Sequence, residues 1–430
     1  MGNRSGREAK PELRIKTDDG DIGETLSQYR EATEALSGVA GRVLRALDSQ
    51  RSAPTTNQSR RGTPPERPGL RRRRHRGANI ERLAILALIC LGVYLIATAR
   101  TAAPPPTSPP YRPFTASAYW NTPLPRDAPV DPRSAGIINF LGATNTLDYI
   151  SLAGATANGT WGRPIYWAED GDPTYGVRSP QPAETECGCA QQLPAEFARL
   201  RIPRGAQPDI DADTGLVSRD AAMTVFDLEK GYVVELFEAR HDPGANTWSA
   251  AGGSVYYLAS NGLEKTWDQF SDTDPRNRGH RGVPASVMAI RFDEIQAGAI
   301  DHVLELFVNQ TRRSAAVFPL VQGEDKPKSS DHPYAPPEGT RIRIKASVNL
   351  DALPLSPAAR VIAESLQNYG AVIGDMSGGP ASIKLEHTLA EGRGHLWAGV
   401  LAADALESIP LHAFEVIELG YQPARPQGAH

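Results

Sequence analysis

The sequence predicts a mainly β protein: an antiparallel β-sandwich or jelly-roll-like ectodomain with one or two short helices, preceded by one transmembrane helix. Two observations support this prediction. From about Phe114 to Tyr421, short runs of β-forming residues alternate with clusters of turn residues, as in antiparallel all-β domains. Upstream, the seventeen residues from Leu83 to Ala99 contain no charge, which is typical of a membrane-spanning helix.

The first 82 residues differ in charge from the rest of the chain. The 430 residues carry a formal net charge of -4, but residues 1–82 hold 18 Lys and Arg against 11 Asp and Glu. The remaining residues hold 28 Lys and Arg against 39 Asp and Glu, a surplus of 11 negative charges. Because the body of the chain is acidic, we expect no nucleic-acid partner.

Residues 1–50 are predicted to be a cytoplasmic segment with an amphipathic helix. Apolar residues recur in steps of four and three from Ile22 to Leu47, a spacing suited to pairing with a helix of a protein partner. Gly38 and Gly41 weaken such a helix, so a lone amphipathic helix is the alternative to a coiled coil. Residues 51–82 are predicted to be a basic disordered linker.

Residues 83–103 are predicted to cross the membrane once. Seventeen helical residues rise about 26 Å, close to the roughly 30 Å of the hydrocarbon core. A buried core helix would show polar positions within its period, and a cleavable signal peptide would have a shorter leader. The arginines between Arg71 and Arg82 predict a cytoplasmic N-terminus by the positive-inside rule. Residues 104–113 then form a proline-rich stalk, and residues 114–421 an extracytoplasmic domain at the cell membrane.

Several strands and helices of this domain have clear signals in the sequence. Val-Leu-Glu-Leu-Phe within His302–Asn309 predicts a strand, and Thr340–Val348 predicts one that alternates apolar and polar residues. Ser356 as N-cap, Pro357 as first residue and Gly370 as terminator predict a helix. The remaining predictions are a hairpin of Met223–Asp227 and Tyr232–Ala239 closed by Leu-Glu-Lys-Gly, and a short helix over Phe292–Gly298.

Glu235 is the first candidate for chemistry, because it lies in a strand otherwise made of apolar residues. A carboxyl group on an apolar face has a raised pKa unless it is paired. A general acid needs such a raised pKa in order to hold its proton near neutral pH. Glycoside hydrolysis requires a second carboxyl group, for which Asp220 and Asp375 are candidates. A structural glutamate with satisfied hydrogen bonds is the alternative interpretation of Glu235.

Asp209, Asp211 and Asp213 occupy the first, third and fifth places of a twelve-residue calcium loop. The sixth place is Thr214, where such loops need glycine, so an acidic surface loop is the alternative. Calcium is thus a possible ligand, and no cofactor is required. Cys187 and Cys189 form a Cys-Gly-Cys stretch that suits a metal pair, a redox pair or two packed thiols.

Aromatic and basic residues are candidates for substrate binding. Trp248 and Trp267 fall in loop-like surroundings, where an exposed ring offers a stacking surface to a sugar, although core packing is more common. Arg343 lies on the polar face of the strand over Thr340–Val348, which is either a binding face for an anionic polymer or simply solvated.

An ordered series of motifs resembles a family of secreted or membrane-anchored bacterial β-rich proteins of unassigned activity. The matching polar residues are Asp220, Glu235, His302, Lys345 and Asp375. The chain departs from the family pattern where Ala222 replaces a histidine, and where Phe-Pro-Leu-Val-Gln replaces Trp-Pro-Ala-Arg-His. The motifs that carry the resemblance are Tyr-Trp-Asn-Thr-Pro-Leu-Pro, Gly-Tyr-Val-Val-Glu-Leu-Phe-Glu-Ala, His-Val-Leu-Glu-Leu-Phe, Pro-Pro-Glu-Gly-Thr-Arg-Ile-Arg-Ile-Lys-Ala-Ser and Tyr-Gly-Ala-Val-Ile-Gly-Asp.

Two hypotheses of function follow. In the first, the domain binds or processes cell-envelope polysaccharide, with Glu235 and Asp220 or Asp375 as the acid/base or nucleophile pair. His302 and Lys345 would then position groups or neutralise charge. In the second, the protein is a non-catalytic envelope assembly or interaction protein, which the missing histidines favour.

Overall fold

The structure is a computed structural model that describes residues 110–155, 161–186, 188–211, 216–377, 379–387 and 396–425, all within one compact unit. The predicted cytoplasmic segment, the linker, the transmembrane helix and the stalk up to residue 109 lie outside these residues. None of the described helices has the length and apolar character that crossing a lipid bilayer requires.

Strands are the dominant elements of the described residues, which confirms the β-rich class. They are β1 (Ser151–Ala153), β2 (Ile165–Trp167), β3 (Thr174–Tyr175), β4 (Val177–Arg178), β5 (Leu200–Arg201), β6 (Ile210–Asp211), β7 (Leu216–Val217), β8 (Met223–Asp227), β9 (Tyr232–Phe237), β10 (Arg240–Asp242), β11 (Thr247–Ser249), β12 (Gly252–Tyr257), β13 (Leu304–Val308), β14 (Arg341–Ile344), β15 (Ala371–Met376), β16 (Ser382–Lys384) and β17 (Phe414–Val416).

Both predicted helices are present, and a third was not predicted. The side chain of Ser356 accepts a hydrogen bond from the Ala359 amide at 3.2 Å, and Gly370 has the positive φ of 71° that follows a helix end. The helix that was missed has no strong apolar stripe, because it is apolar on most sides. The α-helices are α1 (Ser134–Thr144), α2 (Phe292–Ala297) and α3 (Pro357–Asn368), with short 3₁₀ helices at Tyr119–Asn121, Pro182–Glu184, Ala195–Arg199, Ala285–Met288, Leu350–Ala352 and Leu411–Ala413.

The two largest sheets are mixed. The six-stranded sheet has the order β1-β16-β13-β15-β14-β17, and the four-stranded sheet has the order β12-β9-β8-β2. β8 and β9 form the predicted antiparallel hairpin. The prediction of antiparallel sheets is nevertheless wrong at β1 with β16, β13 with β15, and β2 with β8, which are parallel pairs. Three smaller sheets have the orders β10-β11-β4, β3-β5 and β6-β7.

The apolar core lies in three main layers around these sheets. One layer packs α1 and α3 against the six-stranded sheet, and it contains Leu304 and Leu306 of β13. A second layer contains Val233 of β9 and Val372 of β15, so the two large sheets share it. The third layer covers the other face of the four-stranded sheet, where it contains Leu236.

The end of the predicted stalk packs on the domain. The ring of Tyr111 lies 5.8 Å from that of Trp167, and the Tyr111 carbonyl accepts a hydrogen bond from the buried Arg291 at 2.7 Å. Residues 111–113 therefore lie against the globular unit and do not extend away from it.

Candidate functional site

Two strands from different sheets carry the same pattern, Val-x-Glu-x-Phe. In β9 the pattern consists of Val233, Glu235 and Phe237. In the second strand it consists of Val303, which directly precedes β13, and of Glu305 and Phe307 within β13. Because side chains alternate along a strand, each triplet lies on one face. The two valines belong to the core layer that the sheets share, whereas both glutamates and both phenylalanines line a cavity. The space between the sheets is thus apolar at the valines and opens into a cavity at the glutamates.

The cavity is large and lies beside a second one. The larger cavity has a volume of about 750 Å³ and the smaller one about 530 Å³. We call the two together the cleft. Because six residues line both, the two cavities adjoin and form one site. The shared residues are Trp161, Asp220, Phe307, Asp375, Met376 and Lys384.

Glu305 is buried at the wall of the larger cavity. Burial raises the pKa of its carboxyl group to about 7, against the opposing charges of Arg163 and Lys384, and the charges of Asp375 and Glu235 raise it further. The Arg163 guanidinium lies 3.8 Å from one Glu305 oxygen. A carboxyl group with this pKa can give up a proton near neutral pH, as a general acid must.

A glycine and an irregularity of the sheet make room for Glu305. The pairing of β13 with β15 shifts between Leu306 and Phe307, which leaves Gly374 without a partner in the register. A β-carbon at Gly374 would overlap the Glu305 carboxyl group. The bulge and the missing side chain therefore permit the position that Glu305 occupies.

Glu235 differs from Glu305 because both of its oxygens accept hydrogen bonds. The hydroxyl of Ser254, the cross-strand neighbour on β12, donates to one oxygen at 2.8 Å, and the backbone amide of Ser286 donates to the other. The Ser286 hydroxyl in turn bonds Thr224, the neighbour on β8. These contacts fix the orientation of the Glu235 carboxylate toward the cavity.

Asp220 and Asp375 also line the cleft, so three of the five predicted catalytic residues come together. Asp220 lies just before β8, and its carbonyl accepts the backbone amide of Glu238 at 2.8 Å. Asp375 is ion-paired with Arg281 at 3.0 Å and with Lys326 at 3.7 Å. Asp375 is therefore held at the cavity wall by two cations.

Arg281 is the centre of a buried ionic cluster at one end of the larger cavity. Its guanidinium pairs with Glu324, with Glu338 at 3.2 Å and with Asp375, and it donates to the carbonyl of Gly374. The three carboxylates lie close enough together to bind a metal ion, and the Arg281 guanidinium is ion-paired with each of them. These ion pairs link three segments of the chain at the cavity wall.

His302 and Lys345 lie outside the cleft. The ring nitrogens of His302 are 2.9 Å from the Val303 carbonyl oxygen and 3.0 Å from a carboxylate oxygen of Glu294, in the interior. The ammonium group of Lys345 donates to the His412 carbonyl at 2.7 Å. Neither side chain is brought to the predicted carboxylates.

The three predicted substrate-binding residues also lie outside the cleft. Trp248 is buried and stacks on His241 at 4.8 Å, and Trp267 packs edge-on against Phe318 at 5.1 Å. Arg343 is buried, pairs with Glu415 at 2.7 Å and donates to the carbonyls of residues 125 and 126. The polar face of β14 is not solvated because the segment from Tyr119 to Arg126 covers it. The aromatic side chains at the cleft are instead Trp161, which is 48% exposed, Phe237 and Phe307.

The predicted calcium loop is only partly described. Asp209 is buried, and burial raises its pKa to about 6 against the Ser218 hydrogen bond and the charges of Lys384 and Arg163. Asp213 lies outside the described residues, as does the side chain of Asp211, so calcium binding stays a prediction. Cys189 lines the larger cavity and is disulfide-bonded, and Cys187 lies outside the described residues.

Sequence reasoning missed Glu305, Arg163 and Lys384. Glu305 carries the same signal as Glu235, a single carboxylate in an apolar strand, and was recognisable on that basis. Arg163 and Lys384 have no such signal, because each stands in a short stretch that shows no clear pattern.

No family model, no curated protein and no solved structure matches the chain. The resemblance to secreted bacterial β-rich proteins therefore stays a prediction.

Proposed function

We propose that the cleft binds and cleaves a cell-envelope polysaccharide. The observation that carries the proposal is a pair of glutamates, from strands of different sheets, that line one cavity: Glu305 is buried and has a pKa of about 7, whereas Glu235 is held by two donors. Glycoside hydrolysis uses two carboxyl groups whose environments differ.

In this proposal Glu305 is the general acid. It donates its proton to the glycosidic oxygen while the bond from that oxygen to the anomeric carbon breaks, so the leaving sugar departs as an alcohol. Glu235 supplies the second carboxylate, which either attacks the anomeric carbon or accepts a proton from the attacking water. Asp220, at the junction of the two cavities, is the alternative second carboxylate.

The shape of the cleft supports a polymer as substrate. Trp161, exposed and shared by both cavities, offers an apolar face on which a sugar ring can stack. Phe237 and Phe307 add two more aromatic rings at the glutamates. Asp220 and Asp375 line both cavities, whereas Glu235 and Glu305 line the larger one, so a chain that extends through both cavities would pass these carboxyl groups.

The membrane topology and the sandwich arrangement of the two large sheets are part of the same proposal. Residues 83–103 anchor the chain, the N-terminus is cytoplasmic, and the cleft faces the outside of the membrane. The two large sheets form a sandwich, which is supported by the core layer that Val233 and Val372 share.

Release of reducing ends from purified bacterial wall polysaccharide by the full chain in detergent micelles tests the proposal. We expect Glu305→Gln and Glu235→Gln to lower the rate by about 10²- to 10⁴-fold. Glu364→Gln, an exposed glutamate of α3 outside the cleft, is the matched control and should keep the wild-type rate. Full activity of the Glu305 variant would refute its role. Binding without release from any wall polymer would favour the non-catalytic alternative.

A further inference from the structure

We propose that the smaller cavity is a subsite for an anionic group of the glycan, a uronate carboxylate or a phosphate ester, bound by Lys384 and Ser382. The inference deepens the proposed function and rests on it for the glycan nature of the ligand. It concerns residues that the cleavage step does not use.

Lys384 has no direct anionic partner. Among the described residues its ammonium group makes no ion pair and no hydrogen bond, and it lies 4.5 Å from the centre of the Phe307 ring. Burial lowers the pKa of Lys384 and the positive charge of Arg163 lowers it further, against the opposing charges of Glu305, Asp220 and Asp209. A cation placed in such surroundings gains from an anionic ligand that replaces lost water.

Ser382 and Lys384 lie on the same face of β16, because they are two residues apart. Both line the smaller cavity. Among the residues that the structure describes, the Ser382 hydroxyl has no hydrogen-bond partner. Ala153, the register partner of Lys384 on β1, also lines the smaller cavity. A charged donor and a free hydroxyl thus face one space large enough for a substituent of a sugar.

The other charges around the smaller cavity permit an anion there. Asp375 is offset by Arg281 and Lys326. Burial raises the pKa of Glu305 to about 7 and that of Asp209 to about 6, so near pH 6 these two carboxyl groups offset Arg163 and Lys384 less than two full negative charges would. Asp220 is the remaining carboxylate of the smaller cavity. The site is therefore positive at Lys384 and negative at Asp220, which would orient an acidic sugar in the cleft.

Calorimetric titration of the full chain in detergent at pH 6 tests this inference. The probes are an oligogalacturonate, the same oligosaccharide with its carboxyl groups reduced to alcohols, and inorganic phosphate. We expect the acidic oligosaccharide to bind about 10- to 100-fold more tightly than the reduced one, the range of a charged hydrogen bond. Lys384→Met should abolish this preference without changing affinity for the reduced probe, and Ser382→Ala should weaken it by a smaller factor.

Two further variants keep the result decisive. Lys384→Arg retains the charge and should retain most of the preference, whereas Lys230→Met removes an exposed lysine of the β8–β9 turn and should change nothing. The inference is overturned if Lys384→Met keeps the wild-type preference, or if neither anion binds. Phosphate binding that depends on Lys384, without uronate binding, assigns the group as a phosphate. If phosphate binds but no glycan does, the subsite stands and the proposed function fails.

Discussion

Replacement of Glu305 by glutamine removes the titration of this side chain, and so shows how much that titration contributes to the pH dependence of stability. Burial raises the pKa of Glu305 from 4.5 to about 7, so the carboxyl group is neutral at pH 5 and charged at pH 8. Glutamine has nearly the same shape and is neutral at both pH values. The two proteins therefore differ in how the free energy of unfolding changes with pH.

The size of this difference follows from the two pKa values. Because the folded protein binds the proton more tightly than the unfolded chain does, protonation of Glu305 supports folding below pH 4.5, and this support is lost as pH rises through 7. The change from 4.5 to about 7 corresponds to about 3 kcal/mol. The wild type should thus lose about 3 kcal/mol of unfolding free energy relative to the glutamine variant between pH 4.5 and pH 8.

Urea denaturation at pH 4.5, 5.5, 6.5, 7.5 and 8.0, followed by tryptophan fluorescence, measures the difference. The comparison must be between variants, because burial also raises the pKa of Asp209 and Glu338 and gives the wild type a pH dependence of its own. Glu364→Gln, on the exposed side of α3, controls for the loss of one carboxyl group. Parallel pH profiles of the wild type and the Glu305 variant would refute the assignment of a buried, protonated glutamate.

Three further predictions concern the cleft and its setting. Release of reducing ends should decline as pH rises above about 7, because Glu305 then loses the proton it donates, and a rate that is unchanged up to pH 9 would contradict this. Gly374→Ala should lower the free energy of unfolding by about 1–3 kcal/mol, because the added β-carbon overlaps the Glu305 carboxyl group, whereas Gly142→Ala in α1 meets no atom and should not destabilise. Protease added to intact cells should remove the domain from residue 114 onward and spare the N-terminal segment, and protection of the domain until lysis would contradict the predicted topology.

Local signals in the sequence predicted individual strands and helices well, but they did not predict which distant segments pack against them. The β8–β9 hairpin and α3 were predictable because a turn and a helix cap are made by residues adjacent in the chain. The alternation of Arg341 to Ile344 was also correct, since Ile342 and Ile344 are buried in the core. Its polar face was expected either to bind an anionic polymer or to be solvated, yet the segment from Tyr119 to Arg126 covers it. No local pattern shows which distant segment covers a face.

The same limit explains the outcome for the candidate residues. Glu235 was identified because burial of a carboxyl group in an apolar strand is costly and needs a reason. His302 was not distinguishable from a cleft residue by sequence, because its partner Glu294 is a buried residue of α2 that it meets only through folding. The parallel pairing of β13 with β15, which places Glu305 and Asp375 at the same wall, is likewise a non-local event.

The repeated pattern Val-x-Glu-x-Phe accounts for the presence of a cleft between two packed sheets. Where both strands present valine, the sheets share a dry core, since apolar side chains gain free energy by leaving water. Two residues further along each strand both present glutamate, and two carboxyl groups at one cavity wall are costly to bury without partners or a proton. Glu235 receives two donors, Glu305 has a pKa raised to about 7 and lies 3.8 Å from Arg163, and the remaining space stays open as the cavity. The residues that prevent the sheets from closing are therefore the same ones that we propose to perform the chemistry.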